Sequence, residues 1–200
     1  MGVYLNPGNV DFQEVLNSKI YVDKSELIQY TNSVLRTTQK YICVSRPRRF
    51  GKSMAANMLT AYYSRGCDSR EMFQGLKIAK HTDFEKHLNQ YNVIHLNMRD
   101  YLTESENMKQ LIQFVEEDLL DELQQEFADL RMPRRRTLVK VLEQAFAQYK
   151  IPFVFIIDEW DCIFRVHKSD AASQKTYLVF LRNLLKDKSY IALAYMTGIL

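Results

Sequence analysis

The sequence has little of what marks several protein classes. No stretch approaches the roughly eighteen unbroken apolar residues of a membrane span, so neither a membrane-spanning helix nor a membrane partner is expected. There are only 3 cysteines, Cys43, Cys67 and Cys162, an odd count without any CxxC. That excludes a disulfide scaffold and suits buried free thiols in a reducing cytosol. With 6 glycines and 4 prolines there is no Gly/Ser linker, low-complexity tract or internal repeat. The start, Met1-Gly2-Val3-Tyr4, has no basic region before an apolar run, so no signal peptide is expected. Asn6 fails the myristoylation pattern. The charge excess is small as well: 27 basic residues against 24 acidic give +3, which argues neither for nor against nucleic acid.

What is present is an ordinary globular composition. The 200 residues make one large domain or two small ones, and 46% apolar residues can fill a core, which excludes a disordered chain or a fibre. The end, Met196-Thr197-Gly198-Ile199-Leu200, follows an apolar run with no polar tail and reads as a cut from a longer chain.

The periodicities predict alternating elements. Asn6-Pro7-Gly8 is a turn signal. Tyr21 to Asn32 reads as a short helix with Asp23 as a candidate N-cap. Tyr41-Ile42-Cys43-Val44 is β-prone. Lys52 to Arg65 is helical, with Met54, Met58, Leu59 and Tyr62 on one face and Gly66 ending it. Tyr91 to Asn97 is a second strand. Asn107 to Leu130 is a long acidic helix with a stripe of Leu111, Phe114, Val115, Leu119 and Leu123, broken by Pro133. Thr137 to Tyr149 is a further helix. Pro152 to Ile157 is apolar at every position, as in a strand buried on both faces of a parallel sheet. Ala171 to Lys186 is helical, and Tyr190 to Met196 is a fourth strand. The order predicts a three-layer α/β domain with a mostly parallel sheet.

Two stretches carry chemistry. Ser45-Arg46-Pro47-Arg48-Arg49-Phe50-Gly51-Lys52-Ser53 joins a strand to a helix and ends as the phosphate-binding pattern GxxxxGK(S/T) does. Such a loop needs backbone N–H groups around a concavity at a helix N-terminus. In that role Gly51 allows close approach, Lys52 sets a charge against phosphate oxygens, and Ser53 offers a hydroxyl to Mg²⁺. Arg48, Arg49, Phe50 and Met54 complete the candidate nucleotide-binding set. The pattern's first glycine is Arg46 here, and Pro47 removes an N–H. The same residues also fit a basic loop capping an ordinary helix. The second stretch is Phe153-Val154-Phe155-Ile156-Ile157-Asp158-Glu159. Acids at the tip of a buried parallel strand face the ligand crevice, where Asp158 would hold Mg²⁺ and Glu159 would polarise water as general base. A solvated Asp-Glu turn is the alternative. Thr197, at the tip of the fourth strand, either reaches the γ-phosphate or the attacking water, or bonds its own turn.

With these stretches in hand, the chain resembles the AAA-ATPase-like family, in which a P-loop ATPase domain is often followed by a PD-(D/E)XK nuclease-like domain. The resemblance runs through Tyr21-Val22-Asp23-Lys24-Ser25-Glu26-Leu27-Ile28, the SRPRRFGKS loop, Ile156-Ile157-Asp158-Glu159-Trp160-Asp161 and Tyr195-Met196-Thr197-Gly198-Ile199, in that order. It implies a P-loop fold, truncated before its C-terminal elements, and makes Arg46 typical of the loop. It also implies a strand between the loop strand and the acid strand, with Thr197 in the polar sensor position. ATP and Mg²⁺ are the implied ligands. The division it implies is an N-terminal segment, 1–36, packing on the nucleotide site and an ATPase core over 37–200. It implies a nuclease-like partner domain beyond this chain, while the oligomeric state stays open. Two activities are open: ATP hydrolysis, or a nucleotide-responsive switch with little turnover that regulates the attached domain.

Other residues carry weaker signals. His81, His87, His95 and His167 share no metal spacing. Arg131, Arg134, Arg135 and Arg136 form a basic cluster that either touches nucleic acid or is solvated. Arg165 and Arg182 are candidate arginine fingers, and Asp161 either orders the acidic loop or caps a helix.

Overall fold

The computed structural model describes residues 2–199. Met1 and Leu200, which entered the readings of the two chain ends, lie outside the described residues. The elements follow in the order α1 (Val10–Leu16), α2 (Glu26–Val34), β1 (Tyr41–Ser45), α3 (Lys52–Tyr63), α4 (Arg70–Phe73), a 3₁₀ turn (Lys77–Lys80), α5 (Phe84–His87), β2 (Asn92–Asn97), α6 (Met98–Glu104), α7 (Met108–Glu126), α8 (Leu138–Tyr149), β3 (Phe153–Asp158), α9 (Cys162–Val166), α10 (Ala171–Leu185) and β4 (Ile191–Gly198). The four strands make one all-parallel sheet in the order β1-β4-β3-β2. The architecture is α/β in three layers, a P-loop-like arrangement, with β4 between the loop strand and the acid strand.

Two apolar clusters cover the two faces of the sheet. One is built on α3 with Phe12, Ile28, Phe73 and Phe84. The other is built on α7, α8 and α10. β3 supplies both in strict alternation: Phe153, Phe155 and Ile157 face the second cluster, Val154 and Ile156 the first. β4 keeps pace only through an irregularity. Its register slips by one residue between the pairs Phe153–Ile191 and Val154–Leu193. Ala192 is the extra residue, so Leu193 and Tyr195 still reach the α3 side while Ala194 reaches the other.

The sheet edges differ. Along β2 the N-terminal segment runs antiparallel, with Asn6 N–H donating to the Val93 carbonyl (2.7 Å) and His95 N–H to that of Tyr4 (2.9 Å). The Glu122 carboxylate fastens this segment from α7 by accepting N–H bonds from Val3 (2.7 Å), Tyr4 (3.0 Å) and Leu5 (2.6 Å). β1 is the opposite edge, and among the described residues no strand pairs with its free side. Cys43 on it is exposed. Cys67, beyond the end of α3, is partly exposed and only Cys162 is buried, against the expectation of buried thiols.

Several expected boundaries move. α2 begins at Glu26 with Ser25 at its N-cap position, so Asp23 is not the cap. Its carboxylate instead accepts from Ser25 N–H and Lys77 N–H, both at 2.8 Å. α3 stops at Tyr63, three residues short of Gly66. Glycine at 66 serves a close approach: a Cβ there would sit 2.3 Å from the Asn6 carbonyl. α7 stops at Glu126, before Pro133, because Phe127 turns under the Tyr149 and Phe153 rings. Its start is as expected, with the Asn107 side chain accepting from Lys109 and Gln110 N–H. No helix among the described residues is long and apolar enough to cross a membrane.

Candidate phosphate-loop site

β1 hands the chain to the loop, and α3 takes it up at Lys52. Gly51, at the N-cap of α3, has φ 74. That left-handed conformation favours glycine. A Cβ there would also meet Lys24 Nζ at 3.3 Å, so space and conformation make the same demand. Arg49 adopts φ 67 two residues earlier. The Lys52 ammonium curls into the loop and donates to the carbonyls of Arg46 and Pro47, each at 2.9 Å. Lys24 reaches the same loop from the N-terminal segment and donates to the Phe50 carbonyl at 3.3 Å.

Asp158 ends β3 and is only 5% exposed. Its Oδ2 accepts from Ser53 Oγ at 2.5 Å, which ties the first turn of α3 to the sheet across 105 residues of sequence. Its Oδ1 accepts from the Thr197 hydroxyl and from Glu159 N–H (2.9 Å). Thr197 therefore spends its proton on Asp158, not on its own turn. The buried carboxylate is well supplied with donors, as a buried charge must be. Burial, and then the Asp158 charge, pushes the Tyr195 phenol up to about 12. Burial pushes the His95 imidazole below its usual range. His95 Nδ1 is 3.1 Å from Thr60 Oγ1.

Two hollows flank the N-terminal half of α3. An apolar cavity of about 290 Å³ lies between the N-terminal segment and α3, lined by Phe12, Tyr21, Val22, Phe50, Gly51 and Met54 among others. Lys24 and Arg49 are its basic members. A polar chamber of about 380 Å³ opens on the other side, lined by Ser53, Asn57, His95, Asn97, Asp100 and Asp158 among others. Arg48 is exposed and lines neither hollow.

Glu159 also lines neither hollow. It follows β3 with φ 51, in the left-handed region that costs a non-glycine residue about 1–2 kcal/mol. Its Oε2 accepts from Arg165 Nη2 at 2.6 Å. Arg165 also pairs through Nε with Asp161 Oδ2 at 3.3 Å. Asp161 is fully buried and accepts from Ile199 N–H at 2.8 Å, so it orders the acidic loop, and its side chain does not cap α9. Burial works against the Arg165 charge, but the Glu159 bond and the Asp161 charge outweigh it and raise its pKa. Arg165 is thus committed within its own chain, while Arg182 sits on the outer side of α10.

Apart from Arg48, the residues expected at the site divide into three groups. Gly51, Lys52, Ser53, Asp158 and Thr197 converge. Arg49, Phe50 and Met54 edge the apolar cavity. Glu159 is adjacent but turned to Arg165. Sequence reasoning gave no role to Phe12 or Lys24, nor to His95 and Thr60 in the chamber, and it read Arg165 as a candidate arginine finger where the structure pairs it with Glu159. Lys24 lies in the Tyr21–Ile28 stretch, so its position was visible and its contact was not. The four histidines form no cage, and among the described residues no group of three or more His, Cys, Asp or Glu is arranged to hold a metal alone. The Arg131 to Arg136 cluster lies exposed on the connection from α7 to α8.

No curated protein matches the chain. A family model described as "Predicted AAA-ATPase" matches residues 7–200, a span that takes in the loop, the acid strand and the Thr197 strand together. On that coverage the chain belongs to the AAA-ATPase-like family.

Proposed function

We propose that the chain binds Mg²⁺-ATP across the loop and hydrolyses it to ADP and phosphate. One observation carries the reading: Ser53 Oγ meets Asp158 Oδ2 at 2.5 Å, beside a lysine curled into a loop at a helix N-terminus. Hard oxygen donors with room for water and phosphate around them suit Mg²⁺, which seldom takes an all-protein cage. Ser53 and Asp158 would hold it, and the chemistry it supplies there is charge neutralisation on the phosphate oxygens.

The remaining work falls to the chain. The α3 N-terminus and the loop amides would bind phosphate, with the helix dipole favouring negative charge. Lys52 would exchange two carbonyl partners for phosphate oxygens. A phosphate is the stronger acceptor, so the exchange is favourable. The apolar cavity against Gly51 would take the base between Tyr21, Val22 and Met54. Thr197 would hold Asp158 in place. Glu159 would orient and deprotonate water after turning from Arg165.

A second reading, a nucleotide-responsive switch acting on an attached nuclease-like domain, is favoured by Pro47. It removes a loop N–H, and its carbonyl occupies Lys52. Titration with Mg²⁺-ATP and phosphate release separate the two. Hydrolysis predicts that Lys52→Ala abolishes binding and Glu159→Gln binds without turnover. ATP recovered intact from the wild-type chain after hours favours the switch. Unchanged binding by Lys52→Ala sinks the site assignment.

A further inference from the structure

The Glu159 turn has fixed backbone and a contested side chain. Its N–H is bonded to Asp158 Oδ1 (2.9 Å), and its carbonyl accepts from Cys162 N–H (3.0 Å). Only rotation of the side chain can bring the carboxylate toward the Ser53–Asp158 side. Arg165 opposes that rotation through the 2.6 Å bond, and both side chains are about one-fifth exposed, at 21% and 23%. Both groups are only partly shielded, so the bond is at most modestly stronger than a fully exposed ion pair.

Arg165 also has a second carboxylate within reach. Asp161 lies one turn away, fully buried, with its Oδ2 3.3 Å from Arg165 Nε. Among the described residues that buried Nε makes no hydrogen bond, and Nη2, which bonds Glu159 at 2.6 Å, reaches Asp161 Oδ1 only at 3.5 Å. The guanidinium sits between two acids and satisfies one well and the other poorly. If Glu159 leaves, Arg165 can settle on Asp161 and fill its missing bond, so neither the cation nor the buried aspartate is orphaned. Release is then cheap, where breaking a buried ion pair ordinarily is not.

We propose that Arg165 is a latch: it holds Glu159 out of the site at rest and passes to Asp161 when Glu159 turns in. The latch rests on the reading of Glu159 as the group that activates water, and it makes Arg165 a positioning residue. The tip of β4 joins the two acids, because the Thr197 hydroxyl bonds Asp158 and Ile199 N–H bonds Asp161. Between them Gly198 packs so closely that a Cβ would lie 2.8 Å from the Asp161 carboxyl carbon. A shift of Asp158 is therefore felt at Asp161 through three consecutive residues.

Two substitutions should act in opposite directions. Arg165→Gln frees Glu159, so turnover of Mg²⁺-ATP should rise roughly three- to tenfold with affinity unchanged. Asp161→Asn keeps an acceptor for Ile199 N–H but removes the charge that draws Arg165 away, so turnover should fall with affinity unchanged. A residue that merely props the fold would lower turnover in both. Where Arg165→Gln leaves Asp161 too costly to bury for folding, Arg165→Gln with Asp161→Asn removes both charges and should show the same gain. Adding Glu159→Gln should abolish the gain.

Binding and turnover are read together on the purified chain. Intact Mg²⁺-ATP binding with turnover unchanged or lowered in both the Arg165→Gln chain and the double variant overturns the latch and leaves the ATPase reading standing. A wild-type chain that does not bind Mg²⁺-ATP overturns both. A wild-type chain that binds but is silent, and gains turnover on Arg165→Gln, establishes the latch.

Discussion

β1 and β3 are both short, apolar, parallel strands, and each ends in one half of the site, but they are built differently. β3 is buried at all six positions, and its acid is held by three donors. β1 alternates between exposed and half-buried over five positions, and its loop runs exposed from Arg46 to Phe50. The acid half is fixed by packing before any ligand arrives. The loop half is held by two lysines bonded to its own carbonyls, contacts that a phosphate would replace. Rigidity on one side and exchangeable contacts on the other let a site be aligned yet still open.

The largest test of that contrast is core truncation. Ile156 is fully buried on β3, so Ile156→Ala should lower unfolding free energy by about 2–5 kcal/mol in urea denaturation. Ile42 is half-buried on β1, and Ile42→Ala should cost less than about 1.5 kcal/mol by area removed from water. Equal losses would mean that the loop strand is as firmly built as the acid strand.

The next effect should fall on binding alone. Lys52→Ala removes two exposed hydrogen bonds within the loop and should leave unfolding within about 0.5 kcal/mol of wild type. Mg²⁺-ATP binding should be lost in calorimetric titration, a fall of at least about 2–3 kcal/mol, or roughly a hundredfold. A fall in stability without a fall in affinity would make Lys52 a structural cap. Gly51→Ala should cost both quantities about 1–2 kcal/mol, since φ 74 strains an alanine and its methyl crowds Lys24.

The same contrast explains what the sequence disclosed. The long helices stand out because burial on one face imposes a period, and the strands because they are short apolar or β-prone runs. The Gly51-Lys52-Ser53 and Asp158-Glu159 stretches stand out because they lie at strand ends. Tyr41-Ile42-Cys43-Val44 and Phe153-Val154-Phe155-Ile156 look alike as strings, and only the sheet order makes one an edge and the other a centre. That is why Cys43 is exposed where burial was expected. α1, α6 and α9 have seven, seven and five residues, too few turns for a stripe to register. The contacts Lys24–Phe50 and Arg165–Glu159 join residues whose types alone name no partner, and Asp23 looked like a cap because a cap is the local use of an aspartate before a helix.

Asp23 gives the smallest and most specific prediction. Burial raises its carboxyl pKa, but the hydrogen bonds from Ser25 and from Lys77 N–H outweigh it and leave the group below its ordinary value. The folded form therefore binds its proton less readily than the unfolded chain does. The resulting stability is fully present above the unfolded value of about 4 and is lost as pH falls through the lowered folded value. Asp23→Asn should remove that pH-dependent part, so the stability difference from wild type should shrink as pH drops from 6 toward 3. Since Asp23 lies between Tyr21 and Lys24, which line the apolar cavity, the same substitution should loosen that wall. Mg²⁺-ATP binding would then weaken slightly while the Ser53–Asp158 side is untouched. A difference from wild type that is constant across this pH range would show that the Lys77 N–H bond does not hold the N-terminal segment against the 3₁₀ turn.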